Sequence, residues 1–345
     1  MNDSYYMKLC LKLAQKGKGK VEPNPMVGSI IVYNGKIIGK GYHKRYGDWH
    51  AEVNAINSVK NKRLLTNSTL YVNLEPCSHY GKTPPCTDLI INSKIPKIVI
   101  GSVDSNAIVS GKGIKKLEQA GCTVKYGILD KENRELNKRF FTFHEKKRPY
   151  ITLKWAQTID GFIDIKRTPK QKSARISNSA ARKLAHKWRS EEQAIIIGTN
   201  TALLDNPRLT VRYVKGKNPL RLILDRSLSI PKTYALLDHS TSTIIFTANK
   251  KKPEHNLEYI TIDFTKDVIK QVLDELYKRK IQSLIVEGGA KLINSFIKQN
   301  LWDEVRVIVS PKRFNVGVAA PHFARKPYKT VVIKGDKIYF YRNKA

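Results

Sequence analysis

Three side chains able to hold a metal stand at the ends of regular elements within one short region. "HAEVNA" begins at His50, and "EPCSHYGKTPPC" runs from Glu75 to Cys86. His50 opens the helical pattern "HAEVNAINSVKN". Cys77 closes the strand pattern "STLYVNLEPC" directly after Pro76, and Cys86 starts the helical pattern "CTDLIINS". A fold that unites them must place one strand end against two helix starts. Helix N-termini favour thiolates through the helix dipole and free N–H groups. One nitrogen and two sulfurs suit a catalytic zinc, which takes three protein ligands and leaves a position for water. A structural zinc would want a fourth ligand, for which His79 competes, and two free thiols beside a chance H-A-E fit the same residues.

The surrounding patterns read as alternating helices and strands. Residues 5–16 have helical periodicity, and two β-rich runs in "MVGSIIVYNGKIIGKGYH" flank Asn34-Gly35, a strong hairpin signal. "KIVIGSVDSN" and "TVKYGIL" read as strands around the helix "GKGIKKLEQAG". This predicts an α/β sandwich over residues 1–147. A charge run and a proline in "RFFTFHEKKRPY" place a junction near Lys146–Pro149, and residues 148–345 read as a second α/β domain. There, "ITLKWAQTIDGFID" restarts with a strand, "NSAARKLAHKWRSEEQ" is helical, and "AIIIGTNTALLDNP" and "LRLILDRS" read as strand then loop. "TSTIIFTAN" is a strand, "KDVIKQVLDELYKRK" a helix, "SLIVEGGAKLINSFIKQN" strand–turn–helix, and "EVRVIVSP" a strand.

Composition excludes several classes. No stretch approaches the roughly 20 continuous apolar residues of a membrane helix. Four cysteines in 345 residues are no disulfide framework. The N-terminus lacks a basic start, an apolar core and a small-residue cleavage site, which points to a cytoplasmic protein. The net charge of +34 suggests a polyanionic partner, but Lys outnumbers Arg by more than two to one and is scattered over both halves. A specific nucleic-acid reader concentrates Arg and aromatics on one face, so the charge reads as a basic solvated surface. Such a field also favours a phosphorylated small substrate.

Glu52 is not spaced to join the ligand set, but it can point at a water on the metal and shuttle its proton. This is the layout of the hydrolytic nucleobase deaminases, H-x-E…P-C-x-x-C. His50-Ala51-Glu52 and Pro76-Cys77 match it, while the second cysteine comes late. The insertion "SHYGKTPP" carries His79 and Lys82, and a lysine there can hold a phosphate at the mouth of the site. With "EPNPMVGSIIV", "HAEVNAI" and "YVNLEPCSHYGKTPPCTDLII", the first half resembles the bifunctional deaminase–reductase family of riboflavin biosynthesis. The resemblance implies a cytidine-deaminase-like α/β/α sandwich with one zinc on His50, Cys77 and Cys86, and Glu52 as proton shuttle. It further implies substrate contacts from Asn24, Ala51, His79, Lys82, Asp104 and Asn106. The family's D-P-N-P is here "DSNA", Asp104 to Ala107.

In the second half, "SLIVEGGAKLINSFI" reads as strand, Gly-Gly turn and helix, whose free N–H groups suit a phosphate. It is not the G-x-G-x-x-G fingerprint of a dinucleotide fold. With "RISNSAARKLAHKWRS", "IIIGTNTALLDNPRLTVR" and "VEGGAKLINSF", residues 150–311 are similar to the family's reductase half, a dihydrofolate-reductase-like α/β domain using NADPH. The resemblance implies cofactor contacts at Ala156, Arg175, Thr201, Asp205 and the backbone of Gly289, Ala290, Lys291, Leu292, Ile293, Asn294 and Ser295. It implies substrate contacts at Ser173, Arg189, Leu209, Arg212 and Glu287, with Lys154 on the first strand within reach. Arg189 and Arg212 suit a clamp on a ribose phosphate, because guanidinium binds phosphate bidentately. Arg175 stands where the family has Trp, the loop 162–172 is longer and more basic, and "PKRFNVG" replaces a "PKLLGG"-like segment. A homodimer or larger homo-oligomer through the reductase half is implied as well.

Overall fold

Strands that bury both faces need a helical layer on each side, and each half of this chain supplies one. The computed structural model describes residues 2–80, 84–106, 109–169, 171 and 173–343. The chain divides into two units, residues 1–147 and 148–345.

In the first unit α1 (Asp3–Ala14) begins after Asn2, whose side chain accepts the Tyr5 N–H. β1 (Gly28–Tyr33) and β2 (Lys36–Tyr42) form a hairpin around Asn34 and Gly35. Both turn residues have positive φ, 45° and 73°, as a two-residue I′ turn requires. α2 (Ala51–Asn57), β3 (Thr69–Leu74), α3 (Cys86–Asn92), β4 (Lys97–Ser102), α4 (Lys112–Gln119), β5 (Thr123–Lys125), α5 (Asp130–Leu136) and α6 (Lys138–Lys146) follow. The sheet runs β2-β1-β3-β4-β5, with β1 antiparallel to both neighbours and β3, β4 and β5 parallel. Ile30, Tyr71 and Val99 pack with Tyr6, Met7 and Cys10 of α1. Their neighbours Ile31, Val72 and Ile100 pack with Ile56 of α2, Ile90 of α3 and Leu117 of α4. The period of two thus gives the sheet two apolar faces and the unit three layers.

The second unit contains β6 (Tyr150–Thr158), β7 (Phe162–Asp164), α7 (Ser179–Ser190), β8 (Ala194–Gly198), α8 (Thr199–Asp205), β9 (Leu220–Leu224), β10 (Thr243–Thr247), β11 (Leu257–Thr261), α9 (Val268–Lys278), β12 (Ser283–Val286), α10 (Ala290–Lys298), β13 (Glu304–Ser310), β14 (Val318–Ala319), β15 (Lys329–Ile333) and β16 (Asp336–Arg342). Its nine-stranded sheet is ordered β11-β10-β9-β8-β12-β6-β13-β16-β15. Strands β11 to β13 in that order are parallel, and the β15–β16 hairpin joins β13 antiparallel. Ile196, Leu284 and Val286 pack with α9 and α10 on one face. Ile195, Ile197 and Ile285 pack with Ala181, Ala185 and Trp188 of α7 on the other.

Four details differ from the sequence reading. Helices α5 and α6 occupy the charge-dense segment before the junction. α8 is a helix where a loop was expected. The 123–129 strand shortens to β5, and β11, β14 and the β15–β16 hairpin had no forecast.

Candidate functional sites

The first site forms at the C-terminal ends of β3 and β4, where backbone groups and side chains converge beyond the sheet edge. His50 is the N-cap of α2, Cys77 follows β3, and Cys86 is the first residue of α3. Their ligand atoms lie within 4.8 Å of one another. His50 Nδ1 is 3.5 Å from Cys77 Sγ and 3.3 Å from Cys86 Sγ, and the Cys86 N–H donates to Cys77 Sγ at 3.4 Å. A hydrogen bond from Cys86, helped by His50, draws the Cys77 thiol down to about 4, while its Cys86 neighbour is pushed up by that same bond and by burial. Two sulfurs crowding one imidazole nitrogen are the donor chemistry that zinc takes.

Glu52, in the first turn of α2, is buried, and its Oε2 has no partner among the described residues. Burial pushes its carboxyl up to about 7. This orphaned oxygen beside three metal-type donors fits a metal site that also holds a water. Its position is set by packing. A Cβ on Gly41 of β2 would lie 2.4 Å from the Ala55 N and 2.5 Å from the Ala51 carbonyl, so only glycine lets α2 lie this close to the sheet.

The remaining expected contacts fall unevenly. Ala51 is fully buried. Asn24 Nδ2 meets His43 Nε2 at 3.3 Å, and His43 Nδ1 meets the Trp49 carbonyl at 3.1 Å. A carbonyl only accepts, so Nδ1 carries the proton, Nε2 accepts from Asn24, and the Asn24 Oδ1 is left as an acceptor. Asp104 is buried and its carboxyl is pushed up to about 7, first by burial. It accepts the Asn106 N–H at 2.7 Å. His79 is exposed and stands outside the three-residue cluster. Lys82 lies outside the described residues.

Two residues had no role in the sequence reading. His43 is one. The other is Glu75, quoted in E-P-C only as part of the motif. Its two oxygens accept the N–H groups of Asp104, Gly111, Gly113 and Ile114 at 2.9–3.3 Å. One buried carboxylate thus ties the strand leading into Cys77 to the Asp104 loop and the start of α4. The only signal in the chain was an acid inside an apolar strand end.

In the second unit Glu287 follows β12 and is buried. Arg189 of α7 grips it bidentately, Nε to Oε1 at 2.9 Å and Nη2 to Oε2 at 2.8 Å, and Lys154 of β6 reaches Oε2 at 3.5 Å. Arg212 lies nearby in sequence to Thr210, its Nη1 donating to Oγ1 at 3.1 Å. Leu209 is buried with φ 54°, a left-handed conformation that a leucine adopts only where its surroundings enforce it. Next to Glu287, Gly288 has φ 102°, and the Gly289 N–H donates to Thr201 Oγ1 at 2.9 Å.

Gly289 is also the N-cap of α10, which has no side-chain cap and no acid in its first turn. The N–H groups of Ala290, Lys291 and Leu292 therefore remain for a phosphate, which fits the pyrophosphate of a dinucleotide. Ile293, Asn294 and Ser295 lie deeper in the helix. Ile293 is core, the Asn294 Oδ1 accepts the His322 N–H, and the Ser295 hydroxyl bonds the Lys291 carbonyl. Ala156 is half-buried on β6, and Ser173 and Arg175 are exposed on the loop before α7. Asp205 ends α8 and is ion-paired by Arg167, which also bonds Asp164 at 2.7 Å.

Comparison with known proteins agrees with this geometry. Residues 1–102 match the model of the cytidine and deoxycytidylate deaminase zinc-binding region, and residues 149–325 match that of the RibD C-terminal domain. The riboflavin biosynthesis protein RibD of Aquifex aeolicus is 42% identical over 322 residues, covering 92% of this chain and 89% of that one. The RibD of Escherichia coli is 34% identical over 329 residues, covering 90% and 88%. The solved RibD of Acinetobacter baumannii superposes with a TM-score of 0.87 at 30% identity, covering 98% of each chain. A diaminohydroxyphosphoribosylaminopyrimidine deaminase/5-amino-6-(5-phosphoribosylamino)uracil reductase of Thermotoga maritima does so with a TM-score of 0.86 at 36% identity, covering 99% of this chain and 98% of that one. The deaminase-like sandwich and the α/β reductase domain expected from the sequence are the two halves of these structures. With a zinc-type cluster in one unit, a cofactor-type turn in the other and relatives spanning nine-tenths of its length, the chain belongs to the RibD family of bifunctional deaminase–reductases of riboflavin biosynthesis.

Proposed function

We propose that the first unit hydrolytically deaminates 2,5-diamino-6-(5-phosphoribosylamino)pyrimidin-4(3H)-one to 5-amino-6-(5-phosphoribosylamino)uracil, and that the second unit reduces the ribosyl group of that product to ribityl with NADPH. The observation that carries the reading is the orphaned Glu52 oxygen beside His50, Cys77 and Cys86. His50, Cys77 and Cys86 hold one zinc. When bound, zinc supplies the Lewis acidity that makes water nucleophilic near neutral pH. Glu52 holds the proton of that water and passes it to the departing ammonia, a role its carboxyl near 7 suits. Asn24, its amide oriented by His43, accepts from the pyrimidine, and Ala51, His79, Asp104 and Asn106 complete that pocket, with Lys82 of the cysteine insertion, outside the described residues, as the expected phosphate contact.

In the second unit Ala156, Arg175, Thr201, Asp205 and the helix start at Gly289 seat NADPH. Lys154, Ser173, Arg189, Leu209, Arg212 and Glu287 seat the sugar phosphate. Three cations against one carboxylate leave two positive charges there, which match a phosphate dianion. The protein's part in the hydride step is to position substrate and cofactor. The reading includes a cytoplasmic location and a homodimer or larger homo-oligomer through the reductase half. The outer strand β15, with Val332 exposed, supports such association. Among the described residues no helix is long and apolar enough to cross a membrane. A nucleic-acid-editing deaminase is not favoured, because it leaves residues 149–325 without a task.

Glu52→Gln tests the deaminase chemistry. It should retain zinc and lose deamination by about 10²–10⁴-fold. Ammonia release within about tenfold of the unaltered protein would reject the proton-shuttle role.

A further inference from the structure

His186 lies on α7, one helical turn before Arg189, and is 5% exposed. Its Nδ1 lies 3.1 Å from the backbone N–H of Arg212 and accepts from it. An N–H can only donate, so Nδ1 carries a lone pair and the neutral ring's proton sits on Nε2. Tyr213 stands edge-on to the ring at 4.5 Å. The charges around the ring come from four elements: Arg189 on α7, Arg212 on the loop after α8, Glu287 after β12 and Lys154 on β6. Burial, then Arg189 and Arg212, push its pKa down to about 4, which keeps the ring neutral at physiological pH. Its Nε2–H has no acceptor among the described residues, and it is not one of the polar atoms sealed from solvent without a partner. Arg189, by contrast, already has Nε and Nη2 engaged on Glu287. Arg189 keeps its Nη1 donors for a phosphate, and the His186 Nε2–H, one turn earlier on α7 and tied to the Arg212 backbone, adds a further donor between the two arginines.

We propose that His186 binds the phosphate monoester of the reductase substrate through Nε2–H, while its Nδ1 holds the Arg212 segment in place. The proposal rests on the reductase reading above. It makes His186 a specificity residue for the phosphorylated substrate, acting beside Arg189 and Arg212.

The test follows NADPH oxidation by the full chain with the phosphorylated uracil substrate and with the same compound after phosphatase treatment. His186→Asn keeps an acceptor for the Arg212 N–H and lacks a donor at the Nε2 position. It should raise KM for the phosphorylated compound about tenfold or more, as loss of a charge-assisted hydrogen bond does. Its kcat should stay within about threefold, and kcat/KM for the dephosphorylated compound should not change. His186→Gln, which returns an N–H near the Nε2 position, should restore most of the preference for phosphate. An unchanged preference in His186→Asn, or an equal loss with both compounds, overturns the proposal. Failure of the unaltered protein to oxidise NADPH with either compound would instead reject the reductase reading. Should the variants not fold, ¹⁵N-histidine spectra of the unaltered protein decide. Saturating ribose 5-phosphate should shift the His186 Nε2 resonance, and no shift would overturn the assignment.

Discussion

Glu287 sits at the balance point of the second unit's site. Burial alone would raise its carboxyl, but Arg189 and then Lys154 outweigh burial and bring it down to about 2. A carboxyl held below its ordinary 4.5 stabilises the fold fully above that value, and the contribution fades as pH falls from about 4.5 toward 2. The amount at stake is on the order of 3 kcal/mol. Glu287→Gln should therefore flatten the acid limb of unfolding of the second unit, followed by fluorescence of the buried Trp155, Trp188 and Trp302. The variant should also be less stable at neutral pH, because Arg189 loses its partner. An acid limb as steep as that of the unaltered protein would contradict this role.

The clustering of His50, Cys77 and Cys86 with Glu52 close by was legible because their chemistry is rare and their spacing follows element ends. Glu75 and His43 were not, because their partners at 104–114 and at Asn24 meet them only after folding. The group of Lys154, Arg189 and Glu287 was legible only through resemblance, since no local spacing links three residues from three elements.

At the scale of elements, the contact between α2 and β2 decides where His50 and Glu52 point. Gly41→Val would drive a branched side chain into the backbone of α2. Overpacking of this kind typically costs about 1–3 kcal/mol. The helix should move away from the sheet, so zinc affinity and deamination should both fall, deamination by at least about tenfold, while reduction of supplied uracil substrate persists. Metal analysis and ammonia release check this, and full zinc content with an unaltered rate would show that α2 is not held by that contact.

Strands with clean alternation and helices with one apolar stripe were readable from the chain. Segments with diluted patterns were not. In α6 only Phe140, Phe141 and Phe143 mark the buried side among many charges, and in the charged α5 the buried residue is Asn133. β15 is largely exposed, so its side chains do not alternate in character. The β15–β16 turn places Lys334 and Gly335 at φ 48° and 90°. That is the same geometry as Asn34-Gly35, but a lysine gives no turn signal.

At the scale of the whole chain, each unit encloses one site at the C-terminal edge of its own sheet. The net charge of +34 favours an anionic, phosphorylated substrate for either unit. Two chemistries on one chain should be separable by damage to one unit. The most direct measurement supplies the purified protein with the phosphoribosylated diaminopyrimidinone and NADPH, and follows ammonia and NADPH absorbance together. The unaltered protein should release ammonia first and then oxidise NADPH. Cys77→Ser should lose its zinc and release no ammonia, yet still oxidise NADPH when given the deaminated uracil compound. Ammonia release by zinc-free Cys77→Ser, or NADPH oxidation by the unaltered protein on neither compound, would contradict the account.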